Sequence, residues 1–170
     1  MSTNENLKQL HERAVVERFV QWHNNCHSTQ LAVAGRRVQP DFEVIDQNQE
    51  VNGIEVTTAY YDDQDAKGLW NLVRGKSTRF QSSLMVNPDQ KLAGSISELL
   101  AKKCSKYGIA SRVVLLIDIR APVTDCSDIE RSVIPYIGYP DSVPFRAIYL
   151  IDTQGSDTHV WCLHPKVTNS

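Results

Sequence analysis

The sequence predicts a single mixed α/β domain. Three observations carry this. Residues 6 to 26 repeat apolar side chains at near-helical spacing, with no Pro or Gly to interrupt them. Residues 36 to 60 alternate apolar and polar side chains at strand period around a polar stretch. Val113 to Ile119 is almost continuously apolar, the pattern of a strand buried on both faces. A length of 170 residues fits one domain spanning 1–170, large enough to bury a core without disulfide staples.

The first helix carries Leu7, Leu10, Ala14, Phe19, Val20 and Trp22 as its apolar stripe, and Ser28-Thr29 ends it. Leu31 to Ala34 begins the first strand. Gly35 allows a turn or bulge before Arg36 to Ile45. The polar run Asp46-Gln47-Asn48-Gln49-Glu50-Val51-Asn52-Gly53 ends in an Asn-Gly turn signal, and Ile54 to Tyr60 is the returning strand. Asp62 or Asp63 caps a helix over Gln64 to Arg74, whose Ala66, Leu69, Trp70 and Val73 share a face. This helix and the loop after it, about 62–87, read as an insertion into the core. Asn87-Pro88-Asp89 opens a helix that runs to Tyr107 and stops at Gly108, with Gly94 a weak point inside it. After Val113–Ile119, Ser127 to Glu130 starts a short helix that Pro135 disturbs. Phe145 to Asp152 and His159 to Leu163 are the final strands, joined by a turn over Gln154 to Asp157. The order is α, β, β, β, α, α, β, α, β, β.

The hairpin carries the chemistry. On its first strand Val38, Pro40, Phe42 and Val44 share one face, and Asp41 and Glu43 the other. On its second strand Ile54, Val56, Thr58 and Tyr60 share one face, and Glu55 and Thr57 the other. Aligning the apolar faces brings Asp41 and Glu55 to one side of the sheet. Two carboxylates there repel unless compensated, and a divalent cation is the simplest compensation. Solvent-facing strand carboxylates are the plainer alternative.

Pro40-Asp41, followed on the next strand by Glu55-Val56-Thr57, resembles the signature of the PD-(D/E)xK nuclease superfamily, which has the restriction-endonuclease-like fold. The likeness extends to Leu99-Leu100-Ala101-Lys102-Lys103-Cys104-Ser105-Lys106-Tyr107-Gly108 before the apolar strand, and so covers most of residues 8 to 152. The resemblance implies an αβββαβ core with a mixed sheet flanked by helices. It implies hydrolysis of nucleic-acid phosphodiesters, DNA first, with Mg²⁺ or Mn²⁺ held by Asp41, Glu55 and the Val56 carbonyl. Members of the superfamily often add an acidic residue from the first helix. Glu17 is the candidate here and Glu12 its competitor, with an ordinary surface glutamate paired with Arg13 or Gln21 as the plainer reading of Glu17. Many act as homodimers.

The chain departs from the signature at Thr57, where the superfamily has a lysine that stabilises charge on the phosphate. Lys103 is the best replacement, at the edge of its helix's buried stripe, and Lys106 is next. The alternative places Lys102, Lys103 and Lys106 on a solvated face near a helix C-terminus, where the dipole favours them. The competing function is a nuclease-fold protein that has lost cleavage and serves as a nucleic-acid-binding or assembly module.

Composition is ordinary for a soluble protein, with 41% apolar and 22% charged residues and a net charge of −2. A strongly basic binder is therefore excluded, and only local patches remain: Arg36-Arg37, Arg74-Gly75-Lys76, and Lys102, Lys103 and Lys106. Trp70, Arg74, Lys76, Arg79 and Phe80 mix aromatics with bases, a weak pointer to nucleic acid in the insertion. Cys26, Cys104, Cys126 and Cys162 form no CxxC pair. His23 and His27 stand four apart, as zinc ligands can, but a fraying polar helix end explains them better. There is no phosphate-binding glycine loop and no nucleophile elbow. The N-terminus shows no signal-peptide pattern, and the apolar run Val113–Ile117 is too short to span a bilayer, so the expected setting is a reducing cytoplasm.

Overall fold

In the computed structural model the described residues are 3–60, 87–108, 112–120 and 128–165. The helix expected over Gln64 to Arg74, and with it the proposed insertion and its Trp70, Arg74, Lys76, Arg79 and Phe80, lies outside them. Helix α1 spans Thr3–His27. Strands β1 (Ala32–Arg36), β2 (Phe42–Ile45) and β3 (Val51–Tyr60) follow. Helix α2 spans Pro88–Lys106, β4 Val113–Arg120, β5 Ala147–Asp152 and β6 His159–His164. A π-helical turn at Ile129–Val133 passes into a 3₁₀ turn at Ile134–Tyr136, where Pro135 cannot continue an α-helical ladder.

Among the described residues the strands form one mixed sheet in chain order. β1, β2 and β3 are antiparallel, β3–β4 and β4–β5 are parallel, and β6 returns antiparallel to β5. The helices cover opposite faces. Val15, Val16, Phe19 and Val20 of α1 pack on Phe42, Val44, Ile54, Val56, Leu116 and Ile151. Leu92, Ala93, Ile96 and Leu100 of α2 pack on Ala59, Leu115, Ile117, Ile119, Ile148 and Leu150. Strand alternation thus gives the even-numbered side chains of β3 and β4 to α1 and the odd-numbered ones to α2. Both faces of β4 are covered, which explains the apolar run Val113–Ile117.

Two local features differ from the sequence reading. The buried stripe of α1 is Glu12, Val15, Val16, Phe19 and Val20, whereas Leu10 is 63% exposed and Ala14 is also exposed. Leu7, Leu10 and Ala14 have helical spacing too, and it is the packing of Val15, Val16, Phe19 and Val20 on the sheet that sets the inward face. The β2–β3 turn lies at Asp46 to Glu50, not at Asn52-Gly53. Asp46 Oδ1 accepts the N–H groups of Asn48 (2.8 Å) and Glu50 (2.9 Å), and Gln49 adopts a φ of 62°. Gly53 is inside β3, where any Cβ would collide with the ring of Pro40. It is a close-approach glycine that lets the chain before Asp41 lie against β3.

Candidate active site

β2 pairs with β3 only as far as Phe42 opposite Ile54, and β3 runs on to Tyr60. Among the described residues, no strand pairs with β3 on the β2 side beyond Ile54. Gly53 donates its N–H to Arg112 on the β4 side (3.0 Å), so the peptide groups of Ile54 and Val56 point the other way. The Val56 N–H is taken by Asp41 Oδ2 at 2.9 Å. The same alternation aims the Val56 carbonyl into the gap. Asp41 and Glu55 therefore meet at one opening, while Phe42 and Val56 face α1.

Glu55 is 9% exposed, and both its oxygens are engaged from α2 and the residue that ends it. Lys103 Nζ reaches Oε1 at 2.5 Å, and the Tyr107 hydroxyl donates to Oε2 at 2.6 Å. The Tyr107 ring lies 4.9 Å from that of Phe145, and the Gln39 side chain hydrogen-bonds its hydroxyl. Burial, then the bond to Glu55, pushes the Tyr107 phenol far above its ordinary range, so it stays a proton donor. Burial also raises the Asp41 carboxyl above its usual value. The carboxylates of Glu55 and Glu12 push it the same way, against the Val56 N–H and Lys103.

The other sequence candidates lie as follows. Glu17 is exposed and bonded to Arg13 at 2.8 Å, outside the cleft. Glu12 is the α1 acid that turns inward. It is 5% exposed, held by Arg36 (3.0 Å) and Lys8 (3.4 Å), and near enough to act on Asp41. The stripe through Leu10 and Ala14 set Glu17 at the border of the apolar face, whereas the structure gives it the surface pairing with Arg13 that the plainer reading expects. Lys106 is exposed, and Lys103 alone of the two candidates meets the carboxylates. Arg36 and Arg37 are neutralised by Glu12 and Glu43. The rings of His23 and His27 lie tilted to each other with centroids 4.6 Å apart, His23 bonded to Thr29. Cys26, Cys104 and Cys162 are free thiols.

A cleft of about 270 Å³ adjoins this pair and is lined by Lys8, His11, Glu12, Thr57, Thr58 and Lys103. Just behind it is a cluster the sequence reading missed. Asp118 of β4 is fully buried and binds His11 Nε2 (3.0 Å), Arg120 Nε (2.8 Å) and Thr153 Oγ1 (3.0 Å). It fixes α1 to the sheet one residue before Glu12. A single Asp inside an apolar strand was the available signal.

Among the described residues no three His, Cys, Asp or Glu side chains gather as a metal cluster. The donors at the gap are two carboxylates and a backbone carbonyl, all hard oxygens. Mg²⁺ commonly uses one or two carboxylates and completes its shell with water and substrate phosphate, so this set fits such an ion. No family model, no curated protein and no solved structure matches the chain. No helix among the described residues is long and apolar enough to cross a membrane.

Proposed function

We propose that this chain is a metal-dependent nuclease with a restriction-endonuclease-like core, hydrolysing phosphodiester bonds of nucleic acid, DNA first. One observation carries this: Lys103, from a helix, lies against Glu55 beside Asp41, so an ammonium is present where Thr57 cannot supply one. Asp41, Glu55 and the Val56 carbonyl are the residues that would hold Mg²⁺ or Mn²⁺. A bound divalent ion supplies charge to the phosphate and a more acidic water. Lys103 would oppose negative charge growing on the phosphate oxygens. Tyr107 would hold Glu55 in orientation. Glu12, tied to Arg36, would border the cleft rather than bind the ion.

A second reading has its own support. Thr57 is uncharged, and both oxygens of Glu55 are already occupied. This favours a nuclease-fold binding module without cleavage. The deciding assay incubates plasmid, linear duplex and single-stranded DNA and RNA with wild type, Glu55→Gln and Lys103→Ala in Mg²⁺ or Mn²⁺. The nuclease reading expects wild-type cleavage that both variants lose. Binding without cleavage by clean wild-type protein on every substrate would establish the module instead.

A further inference from the structure

Resting on the metal-dependent function above, we propose that Lys103 is a displaceable counter-ion. It neutralises Glu55 in the metal-free site, is expelled when a divalent cation binds Asp41 and Glu55, and is thereby delivered to the substrate phosphate.

Three features support this exchange. First, the ion pair is shielded: the side chains of Lys103 and Glu55 are only 18% and 11% exposed. Solvent screening is weak there, and the pair is not an incidental surface contact. Second, the two oxygens of Glu55 are held differently. Oε2 is held by the neutral hydroxyl of Tyr107, which a cation does not repel. Oε1 is held by an ammonium, which it does. A dication entering between the carboxylates therefore displaces Lys103 and leaves Tyr107 to keep Glu55 oriented. Third, Lys103 has somewhere to go. It lines the same cleft as Lys8, Thr57 and Thr58, whose ammonium and hydroxyl groups suit phosphate oxygens, while the Glu12 carboxylate that also lines it is held by Arg36 and Lys8. The exchange moves one ammonium and transfers no proton.

The consequence is opposite to that of a lysine that helps assemble the metal site. Removing Lys103 removes a competitor, so metal binding tightens even as cleavage is lost. Isothermal calorimetry with Mn²⁺ on wild type, Lys103→Met, Lys103→Gln and Asp41→Asn reads this directly. The expected result is about tenfold tighter binding in both Lys103 variants, the worth of one charge-assisted hydrogen bond, and much weaker binding in Asp41→Asn. A second measurement needs no substitution at Lys103. Acylation of wild-type Lys103 by an N-hydroxysuccinimide ester, followed by mass spectrometry, should rise severalfold on adding Mn²⁺ and stay unchanged in Asp41→Asn. Wild type that binds Mn²⁺ at the Asp41 site, with equal or weaker binding in the Lys103 variants and unchanged acylation, overturns the exchange while the metal site stands. Absence of Mn²⁺ binding in wild type and in both Lys103 variants overturns the exchange and the metal-dependent reading together.

Discussion

The Asp41 carboxylate occupies the place of a missing strand neighbour: its Oδ2 accepts the Val56 N–H at 2.9 Å, just past the last β2–β3 pair. Satisfying that N–H needs only an oxygen, not a charge. The charge is unfavourable here, because burial and the Glu55 and Glu12 carboxylates disfavour it.

Asp41→Asn should therefore stabilise the fold while abolishing cleavage. The Asn carbonyl can still accept from Val56. The folded-state pKa of Asp41 is raised above 3.8, so ionisation costs more in the folded chain than in the unfolded one. The contribution of Asp41 to wild-type stability falls as pH rises from below 3.8 through the folded-state value, and that loss stays in force at neutral pH. The gain from Asp41→Asn should be absent at the acidic end of that window and reach about 1 kcal/mol above it, as when other strained functional sites are relieved. Thermal melts in metal-free buffer at several pH values check this. A variant less stable than wild type at pH 7 would contradict it.

Tyr107→Phe keeps the ring beside Phe145 and deletes the donor to Glu55. Losing a hydrogen bond to a charged group should cost about 1.5 kcal/mol of stability. If Tyr107 positions Glu55, cleavage should fall about tenfold, the equivalent of that energy in a barrier. The loss should be in kcat more than in substrate KM. Chemical denaturation and single-turnover cleavage give both numbers. Unchanged cleavage with reduced stability would leave Tyr107 a structural role only.

Much of this site is legible in the residues. Alternation through Phe42 and Val56 is enough to bring Asp41 and Glu55 to one opening, because an apolar face fixes a strand's register. Lys103 is legible as a residue beside the buried stripe Leu92, Ala93, Ile96 and Leu100. Glu12 is not, because α1 carries two apolar stripes and burial of Val15 and Val16 decides between them. Gly53 resembles a turn glycine in sequence. Its real constraint, the ring of Pro40, comes from thirteen residues earlier in the chain. Asp118 is marked locally only as a lone Asp in an apolar strand with Arg120 two residues on, since His11 and Thr153 meet it only through the tertiary fold.

Asp118→Ala should be severely destabilising. It leaves the partly buried Arg120 guanidinium and His11 without their shared acceptor. Breaking a buried ion pair from one side costs about 3–5 kcal/mol. His11 precedes Glu12 on α1, so the loss should also loosen that helix. Urea unfolding gives the first effect, and faster hydrogen exchange in residues 8 to 16 gives the second. A shift of the urea midpoint within error of wild type would make the cluster an incidental contact.

The last prediction asks whether Lys103 acts through its charge or through its position on α2. Thr57 is two residues past Glu55 and lines the cleft with Lys103. By alternation it shares the side of β3 that Glu55 occupies. Lys103→Met should reduce cleavage by about 10²–10³, the usual loss for one group stabilising transition-state charge. Adding Thr57→Lys to Lys103→Met returns an ammonium to the same cleft from the strand. If charge is what matters, the double variant should recover at least about tenfold of the lost rate, since proximity to the phosphate is restored and only its exact direction differs. Thr57→Lys alone should not raise the rate, because Lys103 already supplies the charge and a second cation near Glu55 competes with metal. Cleavage by Lys103→Met at the wild-type rate would reduce Lys103 to a counter-ion. A folded, metal-binding double variant with no recovery would mean that the approach from α2, and not the charge alone, is required.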